Sequence, residues 1–364
     1  MSDVVISKEH PHPASLLDDT WEGRSWAVMA ILVLILVTVI TEFRSNGLDW
    51  VAYQQEYYGQ AETGSFEQGY VILVRLTRIA NHFNVLLQIV GMIFVACHVR
   101  IARRVRTPLA FIAFCGYYSY VWAFYLMGSP RRTVALSLVA LSMSYLLQRT
   151  PKVRRAMIIV VLAPLFHLSS VVAIPFCLYQ GLRNRRGGES KIIPRAIVKL
   201  AVAMVVMLLG MVVFLPAVMD YAVTKVIYYV DIAPLEQDYL KDVPSIWLGG
   251  AKRIILFVFL WICYRRIVKI FPRLKARLRL AMALIVAENM IYVLGSLVSP
   301  VIGFAANFYL LGYVYWFLCI SPKVWARLPV VQRKALYIAG VGCFAFFVLS
   351  VIGVIVLFPE SYPI

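Results

Sequence analysis

Charged side chains are scarce in this sequence. They account for 15% of its 364 residues, whereas 62% are hydrophobic. A typical soluble domain has about 25% charged residues, so the composition excludes a soluble globular protein. Long apolar runs instead indicate a chain that crosses a membrane several times.

Acidic residues are rarer still, with 18 Asp and Glu against 36 Lys and Arg and a formal net charge of +18. Such an excess could indicate nucleic-acid binding. The basic residues, however, fall in short clusters between apolar segments, which is the pattern of cytoplasmic loops. We therefore expect these basic residues to contact the lipid bilayer, and we expect no nucleic-acid partner.

Motifs for metal and disulfide chemistry are also missing. The six cysteines form no CxxC pair, which counts against a disulfide framework or a metal site. The first long polar loop contains no DxD, ExD or DxE motif, which counts against a metal-dependent polyprenol-phosphate sugar transferase. We expect neither a metal nor a cofactor.

The apolar segments predict an all-α, polytopic integral membrane protein with about 11 transmembrane helices and a cytoplasmic N-terminus. Residues 1–25 read as a cytoplasmic tail and 26–358 as one transmembrane domain. External loops are expected at 44–83 and 220–245, and 359–364 as an external C-terminus.

Two of these helices form a short hairpin in the prediction. Basic clusters lie at both ends of residues 149–186. A single crossing would place them on opposite sides, whereas two short helices turning near Pro164 and His167 keep both in the cytoplasm. His167 then lies at the outer vertex.

Arg131 and Arg132 lie between two apolar runs, with no acidic residue within ten positions on either side. The predicted topology places them on the external face, where they could simply reach the lipid headgroups. The alternative is anion binding, because guanidinium groups match phosphate oxygens and a helix N-terminus begins here. For His167 the alternatives are packing and a polar role toward the same face.

The two external loops carry the remaining candidates. Asp49, Tyr53 and Tyr57 are spaced by four, which places them on one helix face, and Glu67 follows. Aromatic rings with carboxylates suit a sugar site, although aromatic residues are also common at a membrane interface. Lys252 and Arg253 form a basic point after the second loop. Within a predicted span, Glu288 needs an internal partner.

Together these residues resemble the EpsG/Wzy-like family of exopolysaccharide and O-antigen polymerases. The resemblance rests on Asp49-x3-Tyr53-x3-Tyr57, Glu67-x2-Tyr70, Arg131 with Ala135, and PLFHLSS around His167, over roughly residues 45–185. Two positions depart from the family pattern. Arg132 stands where glutamine is usual, and Asn307 stands near where the family often has an arginine.

The resemblance implies a glycosyltransferase-C-like polymerase in the bacterial inner membrane, with its active site facing the periplasm. It would join undecaprenyl-pyrophosphate-linked oligosaccharides, donor and acceptor, without a metal, and a chain-length-regulating co-polymerase is a possible partner. An O-antigen ligase and a lipid-linked oligosaccharide flippase are the alternatives. The expected catalytic residues are Arg131, His167 and Asp49, and the expected substrate-binding residues are Arg132, Tyr53, Tyr57, Glu67, Lys252 and Arg253.

Overall fold

A computed structural model describes residues 21–44, 49–59, 67–148, 151–185, 243–298 and 303–357. Every regular element in these ranges is helical, and they contain no β-strand. The all-α prediction is therefore confirmed for the described part of the chain. Residues 1–20 of the predicted tail, the apolar run at 196–219, which we expect to be a further span, nearly all of the second external loop and the C-terminus lie outside these ranges. Residues 21–25 of the predicted tail form the start of the first helix, Trp21–Glu42.

The helices follow the apolar runs of the sequence closely. In chain order they are α1 Trp21–Glu42, α2 Trp50–Tyr57, α3 Gln68–Thr77, α4 Phe83–Ala102, α5 Pro108–Val121, α6 Pro130–Leu146, α7 Val153–Leu162, α8 Ala173–Arg185, α9 Val243–Ile270, α10 Lys275–Val298, α11 Leu311–Leu318, α12 Pro322–Arg327 and α13 Val330–Leu357.

Five helical stretches are long and apolar enough to cross a membrane, judged by length and composition. They are Gly23–Glu42, Phe83–Ala102, Pro108–Leu126, Pro272–Ser296 and Val330–Gly353. A membrane protein is what this pattern supports, because about 20 consecutive apolar helical residues span a bilayer. The count of about 11 crossings and the orientation of the chain stay predictions.

Helices α5 and α6 form the centre of the described structure. Helix α5 packs against α13, α11 and α1, and α6 packs against α4, α7 and α8. The core between them holds large side chains that are almost fully buried, among them Tyr117, Trp316 and Phe347. The end of α5 and the start of α6, which follow each other in the chain, are therefore supported by a closely packed core.

The connection between α5 and α6 is short and irregular. Helix α5 widens into a π-helical turn at Trp122–Leu126, where the Met127 amide donates to the Trp122 carbonyl at 2.8 Å. Such turns are rare and recur at functional sites. Pro130 then starts α6, because its fixed φ suits the first helical position.

A second irregular stretch separates α7 from α8. One 3-10 turn, Ala163–Leu165, follows α7, and another, Leu168–Val172, precedes α8. Between them His167 has extended backbone angles, with φ −158° and ψ 113°. Helices α7 and α8 pack against each other, and so do the two turns, so the chain reverses its direction at His167.

Helices α2 and α3 form a small layer at the start of α4. Tyr53, Tyr57, Tyr70 and Phe83 build a second apolar cluster there, which Val134 joins to α6. Helix α3 buries Tyr70, Val71 and Val74 on one face and exposes side chains such as Arg75 and Leu76 on the other. This layer holds polar groups of the first loop beside the start of α6.

Candidate functional site

The start of α6 carries the two arginines on adjacent positions of its first turn. Ser129 precedes the helix, but its hydroxyl does not cap it. That hydroxyl instead lies 2.5 Å from the Tyr53 hydroxyl on α2. The first amides of α6 therefore have no side-chain cap, which leaves the positive end of the helix open to an anion.

Arg131 is held from two sides. Its Nε donates to the Tyr53 hydroxyl at 2.9 Å, and its Nη1 donates to Glu67 Oε2 at 2.7 Å. The two side chains of this ion pair are nearly buried, with exposed fractions of 11% for Arg131 and 7% for Glu67. A charged hydrogen bond at this distance is short and strong, so the guanidinium has a fixed orientation.

Glu67 connects three parts of the fold. Its Oε2 binds Arg131 of α6, and its Oε1 accepts a hydrogen bond from the Leu168 amide at 3.0 Å. The same Oε1 lies 3.3 Å from Nδ1 of His167. One carboxylate at the start of α3 thus brings α6 and the hairpin vertex to a common point.

Glycine at position 69 makes this approach of α3 and the hairpin possible. A Cβ atom there would lie 2.7 Å from the carbonyl oxygen of Leu165, closer than real contacts allow. Any larger residue would push α3 away from the hairpin. Gly69 therefore keeps Glu67 within reach of the Leu168 amide.

The charges of the cluster follow from burial and neighbours. Burial acts to raise the pKa of Glu67, but His167 and the Arg131 charge outweigh it and hold that pKa well below its usual range. Burial lowers the pKa of His167 to about 4, and both arginines add to this effect. At neutral pH the cluster therefore contains a carboxylate, two guanidinium groups and a neutral imidazole.

Arg132 differs from its neighbour in having no fixed partner. Its Nε is buried yet has no hydrogen-bond partner, and the described residues pair its side chain with no carboxylate. Glu67 neutralises Arg131, so Arg132 supplies the positive charge in excess. A partly buried guanidinium group that has no partner among the described residues, beside a helix N-terminus, is well suited to bind an anion.

The other expected residues of the first loop divide into two groups. Tyr53 and Tyr57 are both buried, with Tyr53 bound to Arg131 and the Tyr57 hydroxyl donating to the Thr77 carbonyl at 2.7 Å. Asp49 precedes α2, is exposed and makes no capping hydrogen bond. The structure thus brings Tyr53 into the cluster and leaves Asp49 outside it.

A match over most of the sequence establishes the family of the chain. The model of the EpsG family matches residues 26–361, which is nearly all of the sequence. The chain belongs to the EpsG family. This family is associated with polysaccharide polymerase activity of the glycosyltransferase type. No curated protein matches the chain significantly.

In this EpsG-family chain, Lys252 and Arg253 lie in a different polar cluster. Arg253 Nε donates to Glu288 Oε1 at 2.6 Å, and its Nη1 donates to the Gly249 carbonyl at 3.1 Å. Lys252 donates to the Ser350 hydroxyl at 2.9 Å. The internal partner that Glu288 requires is therefore Arg253, and the charge of this arginine is already neutralised.

Sequence reasoning singled out no role for two further polar residues, Glu56 and Asn307. Glu56 on α2 is 1% exposed, and its Oε2 has no hydrogen-bond partner in the described structure. Burial raises its pKa to about 7, while Arg131 and Arg78 oppose this. Asn307 is buried and accepts a hydrogen bond from the Tyr120 hydroxyl at 3.2 Å. The spacing of Glu56 from Tyr53, three residues on one helix face, was the available signal.

Metal-ion binding finds little support in the residues that the structure describes. Within them, no three His, Cys, Asp or Glu side chains come close enough together to hold a metal ion. Glu67 and His167 are neighbours, but the remaining groups around them are the cationic Arg131 and Arg132. The arrangement suits an anionic ligand better than a cation.

Proposed function

We propose that this protein is a polysaccharide polymerase of the bacterial inner membrane. It joins undecaprenyl-pyrophosphate-linked oligosaccharide repeat units on the periplasmic face by glycosyl transfer that uses no metal. The observation that carries the proposal is the unpaired Arg132 beside the Glu67–Arg131 ion pair at the uncapped start of α6. This combination gives a fixed site with one excess positive charge.

In the proposed reaction, a sugar hydroxyl of the acceptor attacks the anomeric carbon of the donor glycan. The bond from that carbon to the pyrophosphate oxygen breaks, and undecaprenyl pyrophosphate leaves with the electron pair. Negative charge builds on the leaving oxygen in the transition state. Cationic groups that are already oriented toward that oxygen lower the barrier, because they need no rearrangement.

Arg132 is the group that we assign to the pyrophosphate. Its guanidinium has free donors, and α6 adds the field of its N-terminus. Arg131 has a supporting part, since Tyr53 and Glu67 fix its orientation and its charge strengthens the local positive potential. This assignment of the main role to Arg132 differs from the family resemblance, which favours Arg131 and leaves the role of Arg132 less secure.

His167 is neutral at physiological pH because of its lowered pKa. His167 Nδ1 lies 3.3 Å from Glu67 Oε1 and has no hydrogen-bond partner in the described structure. We assign the proton to Nδ1, on the side of the carboxylate, which leaves the lone pair on Nε2. Nε2 is then placed to accept a hydrogen bond from a sugar hydroxyl and to orient the attacking oxygen. Glu67 is occupied on both oxygens, which makes it a positioning residue and not a base.

Purified protein and lipid-linked repeat units test this proposal. Wild-type protein should form glycosidic bonds in the presence of a chelator, and Arg132→Ala should reduce the rate about 100-fold or more. Arg75→Ala, which removes an exposed arginine from α3, is the matched control and should keep full activity.

Three outcomes would contradict the proposal. Polymer formation at the wild-type rate by folded Arg132→Ala protein would exclude the assigned phosphate contact. Transfer of the glycan to a lipid A core acceptor, with no joining of repeat units, would make the protein a ligase. Movement of lipid-linked units across the membrane without bond formation would make it a flippase.

A further inference from the structure

A cleft lies at the turn between α9 and α10, away from the cluster described above. It has a volume of about 350 Å³. Ile270, Phe271 and Val324 supply apolar walls, and Arg273, Lys323 and Arg327 supply positive charge. The end of α9, the turn at residues 271–274 and the short helix α12 thus form an apolar space with a basic rim.

The cleft belongs to the end of the helices opposite Arg131. Cys319, three residues before α12, interacts electrostatically with Arg277 of α10 and with Arg104. Arg104 lies in the turn that precedes α5, and α5 leads from there toward the start of α6. The cleft and the Arg131 cluster therefore lie at opposite ends of α5, near opposite surfaces of the membrane.

The basic residues around the cleft have no acidic residue near them in the sequence. No Asp or Glu occurs from residue 243 to 287 or from 289 to 359. Within the first of these ranges, the flanking helices add further basic residues near Arg273, namely Arg266 in α9 and Lys275 and Arg277 in α10. A concentrated positive potential results at the surface where the cleft opens.

The chemistry of the cleft selects a ligand that is both anionic and apolar. Guanidinium and ammonium groups bind phosphate oxygens, and Ile270, Phe271 and Val324 exclude water. A phospholipid with a negative headgroup meets both conditions, and the surrounding bilayer supplies it. Basic pockets between helices near the membrane surface bind such headgroups.

We propose that this cleft is a binding site for an anionic phospholipid in the leaflet away from Arg131. The phosphate would lie among Arg273, Lys323 and Arg327, and the upper part of an acyl chain would lie against Phe271 and Val324. The site does not depend on glycosyl transfer, since none of its residues belongs to the Glu67–Arg131 cluster.

Lipid titration of the purified full-length protein in detergent tests the site. Native mass spectrometry would count bound phosphatidylglycerol and, separately, bound phosphatidylcholine. We expect the wild-type protein to bind the first at least tenfold more tightly than the second. Replacing both exposed arginines, Arg273→Ala with Arg327→Ala, should weaken phosphatidylglycerol binding about tenfold or more.

The matched control is Arg154→Ala with Arg155→Ala, which removes two exposed arginines from the start of α7. It should leave phosphatidylglycerol binding unchanged. Leu274→Trp fills part of the cleft without changing its charge and should also weaken binding. Glycerol 1-phosphate, which has no acyl chain, should compete with phosphatidylglycerol only at concentrations at least tenfold above those at which the lipid binds.

Three results would overturn the proposal. Equal binding of the two lipids would show that the headgroup charge is not recognised. Equal weakening by the cleft and control variants would show that only overall charge attracts the lipid. Competition by glycerol 1-phosphate at lipid-like concentrations would identify a soluble phosphate as the ligand. Thermal unfolding of each variant at the wild-type temperature would verify that it is folded.

Discussion

Two buried ion pairs in this protein have nearly the same geometry and very different surroundings. Arg131 and Glu67 are 2.7 Å apart, and Arg253 and Glu288 are 2.6 Å apart. In both, the side chains are almost completely enclosed. Distance and burial alone therefore do not distinguish a site that binds a ligand from one that holds helices together.

The Arg253–Glu288 pair is surrounded by groups that complete it. Arg253 also donates to the Gly249 carbonyl and lies 3.6 Å from the centre of the Tyr292 ring. The Glu288 Oε2 atom accepts hydrogen bonds from Asn289 and Tyr313, each at 3.1 Å. Both carboxylate oxygens of Glu288 thus have partners, whereas the neighbouring Asn289 Oδ1 has none in the described structure. Such a network stabilises packing, and its two charged groups are already used by each other.

The Arg131–Glu67 pair has unused polar groups next to it. Arg132 Nε and Glu56 Oε2 are buried without partners in the described structure. Unsatisfied buried groups destabilise a protein by about 1–3 kcal/mol each, more if charged, so they persist where a function requires them. The difference between the two pairs thus lies in what their neighbours leave unpaired.

Replacing each pair by apolar residues gives the largest expected contrast. Arg131→Met with Glu67→Leu should abolish polymerisation, while lipid-linked single repeat units accumulate in cells. Arg253→Met with Glu288→Leu should keep the fold and most of the activity, because an apolar pair substitutes well for a completed ion pair. Polymer length in cells and rates with purified protein would measure both. Equal loss of activity in the two double variants would remove the distinction.

Single substitutions should give the opposite order of effects when stability is measured instead of activity. Arg253→Ala leaves the Glu288 carboxylate buried and unpaired, which should destabilise the protein by about 3–5 kcal/mol. Arg132→Ala removes a charged group whose buried Nε has no partner in the described structure, so it should stabilise the protein by about 1–3 kcal/mol. Thermal unfolding in detergent would measure both variants. A larger destabilisation by Arg132→Ala would contradict the assignment of Arg132 to a ligand.

His167 provides a smaller and more specific contrast. His167→Asn keeps a donor near Glu67 and removes Nε2, so the rate should fall about 10-fold to 100-fold. In the wild-type protein the pKa of His167 is about 4, so its imidazole stays neutral from pH 5.5 to 8. The rate should therefore show no histidine ionisation in this range. A rate that follows a group titrating near pH 6.5, and that keeps this dependence in Glu56→Gln but loses it in His167→Asn, would contradict a neutral His167.

Glu56 provides the smallest effect. Burial raises its pKa to about 7, so its ionised form at higher pH opposes folding. The favourable contribution of the protonated form is fully present below pH 4.5 and is lost as the pH rises through 7. Glu56→Gln should therefore raise the unfolding temperature at pH 8 and leave it nearly unchanged at pH 5. Glu56→Asp, which keeps the charge, is the control and should not raise it at pH 8.

Local sequence signals predicted much of the helical architecture. Apolar runs gave the positions of α1, α4 and α5, Pro130 marked the start of α6, and basic clusters indicated the turn at His167. These features depend on residues close together in the chain. The match over residues 26–361 confirms the family that the motifs in the first half of the chain indicated.

The pairing of charges could not be predicted in the same way. Glu67 and Arg131 are 64 residues apart, and Arg253 and Glu288 are 35 apart. No periodicity connects such positions, because only the packing of whole helices brings them together. For this reason the sequence could not show that Glu67 occupies Arg131 and leaves Arg132 unpaired, or that Glu288 already neutralises Arg253.

The close contact of Gly69 with Leu165 also limits where a growing polymer can pass. The seam between α3 and the hairpin has no space even for a methyl group. A sugar ring is far wider, so this seam is closed to the glycan. In the proposed reaction the product therefore leaves along another face of the cluster.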